Sequence, residues 1–259
     1  MKWFIIVAIF LPGTFFINSN KVFSQNFIPD TIGNTNQLHS AIKLYHQFLA
    51  PERELYDGSE YAYNAYYPFI INEGHPFFLS KNFDTGAIFY NNILYEKVPL
   101  LFDIIKEELL TNDPTGLYII KLHSERTSWF TIWDHTFIRL SRDSAANPLI
   151  HTGFYDLLYQ GNTTLYKKIS KIIKENSASV QGINTYVVES DEYFIKKNSN
   201  YYKVKNKKSL MRIVYNRKKE IQQFIRKNKL NLRKDLDGAL KKIVAYYDGI
   251  NNGNIKAIN

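Results

Sequence analysis

The feature that most constrains the fold is a series of aromatic and β-branched runs closed by short Asn- or Gly-bearing turns between Gly86 and Lys205. Residues 87–90, then Asn91-Asn92, then residues 93–98 form the sharpest case. Asparagine tolerates the positive φ that a two-residue hairpin demands. Residues 153–159 and 164–173 flank Gln160-Gly161-Asn162, and residues 186–196 and 201–205 flank Lys197-Asn198-Ser199-Asn200. Each turn has an aromatic before it and a tyrosine after it: Tyr90 and Tyr95, Tyr159 and Tyr166, Phe194 and Tyr201. This is one repeated way of closing antiparallel strands rather than a fixed-period repeat. Residues 100–110 continue the pattern, and residues 117–122 and 128–133 read as a further strand pair, followed by 137–140. Nineteen tyrosines and 18 phenylalanines suit a sheet, where cross-strand aromatic pairs are favoured.

The two ends read differently. Lys2 followed by an apolar run to Ile17, a polar stretch at residues 18–21, and Val22-Phe23-Ser24 fit a signal peptide cleaved after Ser24. The run is shorter than a spanning helix and is interrupted by Pro12-Gly13. The expectation is an exported chain, periplasmic or extracellular, with no transmembrane segment in its mature part. There are no cysteines, so disulfides, thiolate ligands and a lipidated cysteine are all excluded. Thr35 or Asn36 can cap a helix through Leu38, Ile42, Tyr45 and Phe48 that Pro51 ends. Beyond residue 208 the period changes to helical. Ser209 can cap a short turn over 210–214 and Asn216 a helix through Ile221 and Ile225. Leu236, Leu240, Ile243, Val244 and Tyr247 share one helical face. The fold class expected is α+β: an antiparallel β-meander with an N-terminal helix and a C-terminal helical hairpin. The segments are 1–24 (signal), 25–208 (helix and meander), 209–249 (helical, on the same domain) and 250–259 (tail).

The search for chemistry yields little. The six histidines show no HExxH, HxH or His-x3-His spacing, and no G-x-S-x-G elbow or phosphate-binding glycine loop is present. No cofactor and no metal is implied. His75, Asp134 and His135 are the candidate catalytic residues, as possible acid/base groups. Tyr56, Tyr61, Tyr63, Tyr66 and Tyr67 precede Gly74-His75-Pro76-Phe77-Phe78; they suit either a sugar-stacking surface or an arm packed on the sheet. Charge is uneven: the formal net charge is +9, and the basic residues crowd between Lys196 and Lys242. Lys205, Lys207, Lys208, Arg212, Arg217, Lys218 and Lys219 form a candidate anionic-surface patch; the alternative is a merely solvated helix face.

Several strings resemble the landmarks of a family of exported Bacteroidota proteins: Leu55-Tyr56-Asp57-Gly58, Gly74-His75-Pro76-Phe77-Phe78, Val98-Pro99-Leu100-Leu101-Phe102-Asp103, Gly153-Phe154-Tyr155-Asp156-Leu157-Leu158-Tyr159, Lys207-Lys208-Ser209-Leu210 and the run from Phe224 to Leu230. The resemblance implies export and carries no activity, so no functional residue transfers. The leading expectation is a non-enzymatic binding or structural protein of the envelope or exterior. The alternatives are an envelope hydrolase acting on glycan or peptide, and a protein peripheral to anionic membrane. Expected partners are an envelope protein, a glycan or an anionic lipid; nucleic acid is disfavoured for an exported chain.

Overall fold

The structure, a computed structural model, describes residues 54–142, 148–179 and 182–253, all within one compact unit. The expected signal segment, the expected N-terminal helix and most of the expected tail lie outside the described residues.

Among the described residues, ten antiparallel strands make one sheet. They are β1 (Asp84–Tyr90), β2 (Ile93–Asp103), β3 (Glu108–Asn112), β4 (Ile119–Lys121), β5 (Thr127–Ile132), β6 (His135–Leu140), β7 (Gly153–Tyr159), β8 (Thr163–Ser179), β9 (Gly182–Lys197) and β10 (Asn200–Val204). Their spatial order is β10-β9-β8-β7-β6-β5-β1-β2-β3-β4. The expected meander is therefore two meanders, β1–β4 and β5–β10, joined by a crossover from β4 to the far side of β1. The expected pairing of 117–122 with 128–133 does not form. β4 pairs with β3, and β5 lies between β1 and β6.

The first core gathers one phenylalanine from each of four strands. Phe102 (β2), Phe130 (β5), Phe137 (β6) and Phe154 (β7) have ring centroids 5.0 to 5.7 Å apart. Edge-to-face contacts dominate, the geometry that aromatic quadrupoles favour. Gly86 sits where a Cβ would lie 1.9 Å from the Thr131 carbonyl oxygen, beside the irregular register between Gly86 and Ile88. Only glycine allows β5 so close an approach there.

Residues 54–83 form an arm over the sheet, with one short helix, α1 (Tyr63–Tyr66). The arm pairs with β4 at Glu60 and Ile120, with β9 at Glu73 and Tyr186, and with β2 at Phe77 and Asp103. It thereby covers the β4 edge, which would otherwise present unpaired backbone groups. Lys171 of β8 donates to the carbonyl oxygens of His75 and Phe77, pinning the arm from the other side.

After β10 the described residues hold three α-helices, α2 (Lys207–Ile213), α3 (Lys218–Lys227) and α4 (Leu236–Asn251). They build a second core on β8–β10, with Leu165, Ile195 and Val204 meeting Leu210, Ile221, Leu240, Ile243 and Val244. Phe224 of α3 stacks on Tyr246 of α4 at 4.1 Å. Two expected caps are corrected. Asn206, not Ser209, caps α2: its side chain accepts from Ser209 N at 3.0 Å, while Ser209 Oγ accepts from Asn206 N. Arg217, not Asn216, holds the N-cap position of α3, after a 3-10 turn over Tyr215–Arg217. Among the described residues, no helix is long and apolar enough to cross a membrane.

Candidate anion-binding groove

The helical end carries the strongest charge feature. Helix α2 buries Leu210, Met211 and Ile213 and leaves Lys207, Lys208 and Arg212 exposed. Helix α3 buries Ile221 and Ile225 and turns Lys218 and Arg226 outward. Its C-terminus closes with Leu230 N donating to Ile225 O at 3.0 Å and Lys229 N to Arg226 O at 3.1 Å. This crossed pair is the Schellman arrangement, whose turning residue is usually glycine. Here that residue is Lys229, at φ +50.

Between these elements lies a groove of about 700 Å³. Ile225, Leu230, Leu232 and Leu236 supply its apolar lining, and Lys205, Lys207, Lys208, Arg226, Lys229 and Arg233 its charge. A second hollow of about 500 Å³ shares Lys207 and Lys208 and adds Arg212 and Lys218. No carboxylate lines either one. Among the described residues, none of these eight cations makes an ion pair, although many lysines of the sheet do. With no carboxylate in either lining, an anion placed there gains attraction at several points at once.

Five of the seven cations expected from sequence, Lys205, Lys207, Lys208, Arg212 and Lys218, line the two hollows. Arg217 is diverted: its guanidinium meets Glu220 at 3.4 Å and Asn251 at 3.5 Å. Lys219 is exposed but lines neither hollow. Arg226, Lys229 and Arg233 complete the groove and were outside the expected patch. Their signal was the basic run continuing past α3 around Leu230 and Leu232, which reads as loop until the turn brings both sides together.

Of the three catalytic candidates, Asp134 and His135 meet, and His75 has no described contact with either. His135 Nδ1 meets Asp156 Oδ2 at 2.7 Å, and Asp156 is buried on β7. Asp134 sits in the β5–β6 turn, almost wholly exposed, with Oδ1 3.4 Å from His135 Nε2. The hydrogen bond to Asp156 raises the His135 pKa above its ordinary value against the opposing effect of burial. That bond favours the charged imidazole and fixes Nδ1 toward β7. A buried carboxylate requires a partner, and His135 supplies one, tying the β5–β6 hairpin to β7. His75 lies elsewhere on the arm, its pKa lowered by burial and by Lys171 and Lys81. Among the described residues, no hydrogen bond or ring contact joins His75 to His135.

The tyrosine arm is chiefly packing. Asp103, fully buried at the end of β2, accepts from Tyr61 OH at 2.7 Å and Tyr67 OH at 2.8 Å. Burial, reinforced by Asp103, pushes both phenol pKa values up, so both stay protonated donors. Sequence reasoning missed Asp103 and Asp156 as organising residues. Each is an acid inside an otherwise apolar strand, Leu101-Phe102-Asp103 and Phe154-Tyr155-Asp156-Leu157. That pattern by itself signals a buried charge that must find donors.

Comparison with protein-family models, with curated proteins and with solved structures finds no match.

Proposed function

We propose that this is an exported, non-enzymatic binding protein that holds a linear polyanion in the groove between α2, α3 and the loop leading to α4. Export rests on the N-terminal signal pattern. The binding reading rests on one observation: eight cations line two adjoining hollows with no carboxylate among them. A concave site with an apolar floor suits an extended chain, whose charged groups meet the cationic walls while its backbone covers the leucines. A flat bilayer has less access to a recessed floor, so the peripheral-membrane reading ranks below it.

Heparin serves as a sulfated polysaccharide probe. Binding measured by calorimetry is expected to weaken at least about tenfold between about 50 and about 200 mM salt, the behaviour of several ion contacts formed with counterion release. The Lys208→Glu, Arg226→Glu double variant, altered at two exposed positions, is expected to abolish it. Heparin binding that ignores both salt and the double variant would overturn the proposal. Preferential binding to phosphatidylglycerol vesicles over heparin would transfer it to the membrane reading.

A further inference from the structure

A second cleft lies on the same helical end, and its chemistry differs. It has a volume of about 330 Å³ and opens where the β7–β8 and β9–β10 turns meet the 3-10 turn and the C-terminus of α4. Five asparagines line it: Asn162, Asn198, Asn216, Asn251 and Asn252. Tyr215 lines it as well, with 74% of its surface exposed.

The amides are held in place by one another. Tyr247 OH donates to Asn216 Oδ1 at 2.9 Å, and Asn216 Nδ2 donates to Asn251 Oδ1 at 3.4 Å. Asn162 Nδ2 donates to Asn252 Oδ1 at 2.7 Å. Each amide has two donor hydrogens and an acceptor oxygen. These bonds use the oxygens of Asn251 and Asn252 and leave both of their NH₂ groups to donate. The oxygens of Asn162 and Asn198 remain able to accept. The cleft thus presents amide donors and acceptors side by side, next to an exposed aromatic ring, with Lys197 and Asp248 as the charged groups of the lining.

Paired neutral donors and acceptors match vicinal hydroxyls, each of which donates and accepts at once. A flat phenol ring matches the apolar C–H face of a pyranose. A free anion is a poorer fit, because the cation of the lining, Lys197, already donates to Tyr247 OH and the Ile213 carbonyl and is offset by Asp248. A large apolar ligand is a poorer fit, because amides dominate the lining. We propose that this cleft binds a hexopyranose unit of a neutral glycan, with Tyr215 stacking on the ring and Asn216, Asn251 and Asn252 holding its hydroxyls. The inference stands apart from the polyanion groove and uses none of its cations.

Maltotriose, cellotriose, mannotriose and chitotriose are the probes, followed by saturation-transfer NMR and calorimetry on the protein. At least one is expected to bind with saturation strongest at its ring C–H protons. Tyr215→Ala is expected to weaken that binding about fivefold to tenfold and Tyr215→Phe to leave it nearly unchanged, since stacking needs only the ring. Asn251→Ala is expected to weaken it about fivefold through the lost donors. Both positions are exposed, so the variants keep the fold, which circular dichroism verifies. Failure of all four trisaccharides, or binding indifferent to Tyr215→Ala, overturns the proposal. The Lys208→Glu, Arg226→Glu variant should bind the trisaccharide normally, so loss of heparin binding and loss of sugar binding report separately.

Discussion

At the scale of single residues, buried acids and their partners organise the sheet. His135 and Asp156 carry a pH dependence whose sign follows from the geometry. The folded-state pKa of His135 lies above its ordinary value because Asp156 binds the charged form. The pair's contribution is therefore complete below about pH 6.5, the unfolded value, and is lost as pH rises through the folded value. Urea unfolding midpoints of the wild type should fall from pH 6 toward pH 8, and those of His135→Ala should not follow this decline. The same variant should cost about 3 kcal/mol at pH 6, because it strands a buried carboxylate. A variant whose midpoint tracked the wild type across this range would contradict the pairing. Some residue-scale features were legible in sequence and some were not. Asn91 and Asn92 take φ +49 and +63, as an Asn pair in a two-residue hairpin requires. Trp133 takes φ +54 in a turn with neither glycine nor asparagine. It is held there by Asp84, whose carboxylate accepts from Trp133 N at 2.8 Å across 49 positions of sequence. No local pattern encodes such a contact.

At the scale of elements, two joints deserve mutation. The arm is locked to β2 through Asp103. Tyr61→Phe and Tyr67→Phe should each cost about 1.5 kcal/mol, the value of a hydrogen bond to a charged group. Asp103→Ala should cost more, about 3 kcal/mol, because both phenols and the Lys106 amide lose their acceptor. Hydrogen exchange should show faster opening at residues 59–61 and 119–121, where arm and β4 share backbone bonds. At the end of α3, Lys229 holds a left-handed conformation that costs a non-glycine residue about 1 kcal/mol. Lys229→Gly should raise the unfolding midpoint while weakening heparin binding. Stability and binding moving in the same direction would show that Lys229 is not a groove cation retained against strain. Strand lengths were only partly readable. Apolar alternation fades after Ile173, yet β8 continues to Ser179, because β9 supplies backbone partners at Lys174–Tyr186, Glu175–Thr185 and Asn176–Asn184. Polar side chains on an exposed ribbon leave no hydrophobic trace of that pairing. The crossover from β4 to β5 was equally silent, since it is set by which faces meet in the phenylalanine core.

At the scale of the whole molecule, positive charge is segregated rather than spread. Several sheet lysines are paired: Lys167 with Asp191 and Asp237, Lys168 with Glu107, Lys171 with Glu189, Lys203 with Glu192. The groove cations are not, which is why the basic run could be seen in sequence while its division into paired and unpaired members could not. Segregation makes opposite predictions for the free and the bound protein. Without a ligand at low salt, the Lys208→Glu, Arg226→Glu variant should unfold at a higher temperature than the wild type, because it replaces repulsion with attraction among neighbouring charges. Added salt should narrow that difference by screening it. With heparin at about 100 times its dissociation constant, the wild type should gain about 2.7 kcal/mol by preferential binding to the folded state. The variant should gain almost nothing, so the order of the two melting temperatures should reverse. A basic face that served only for solvation would show the first effect and not the second. Reversal of the order requires a groove in which the cost of gathered charge is recovered by a polyanion, and thermal melts at two salt concentrations, with and without heparin, read both effects directly.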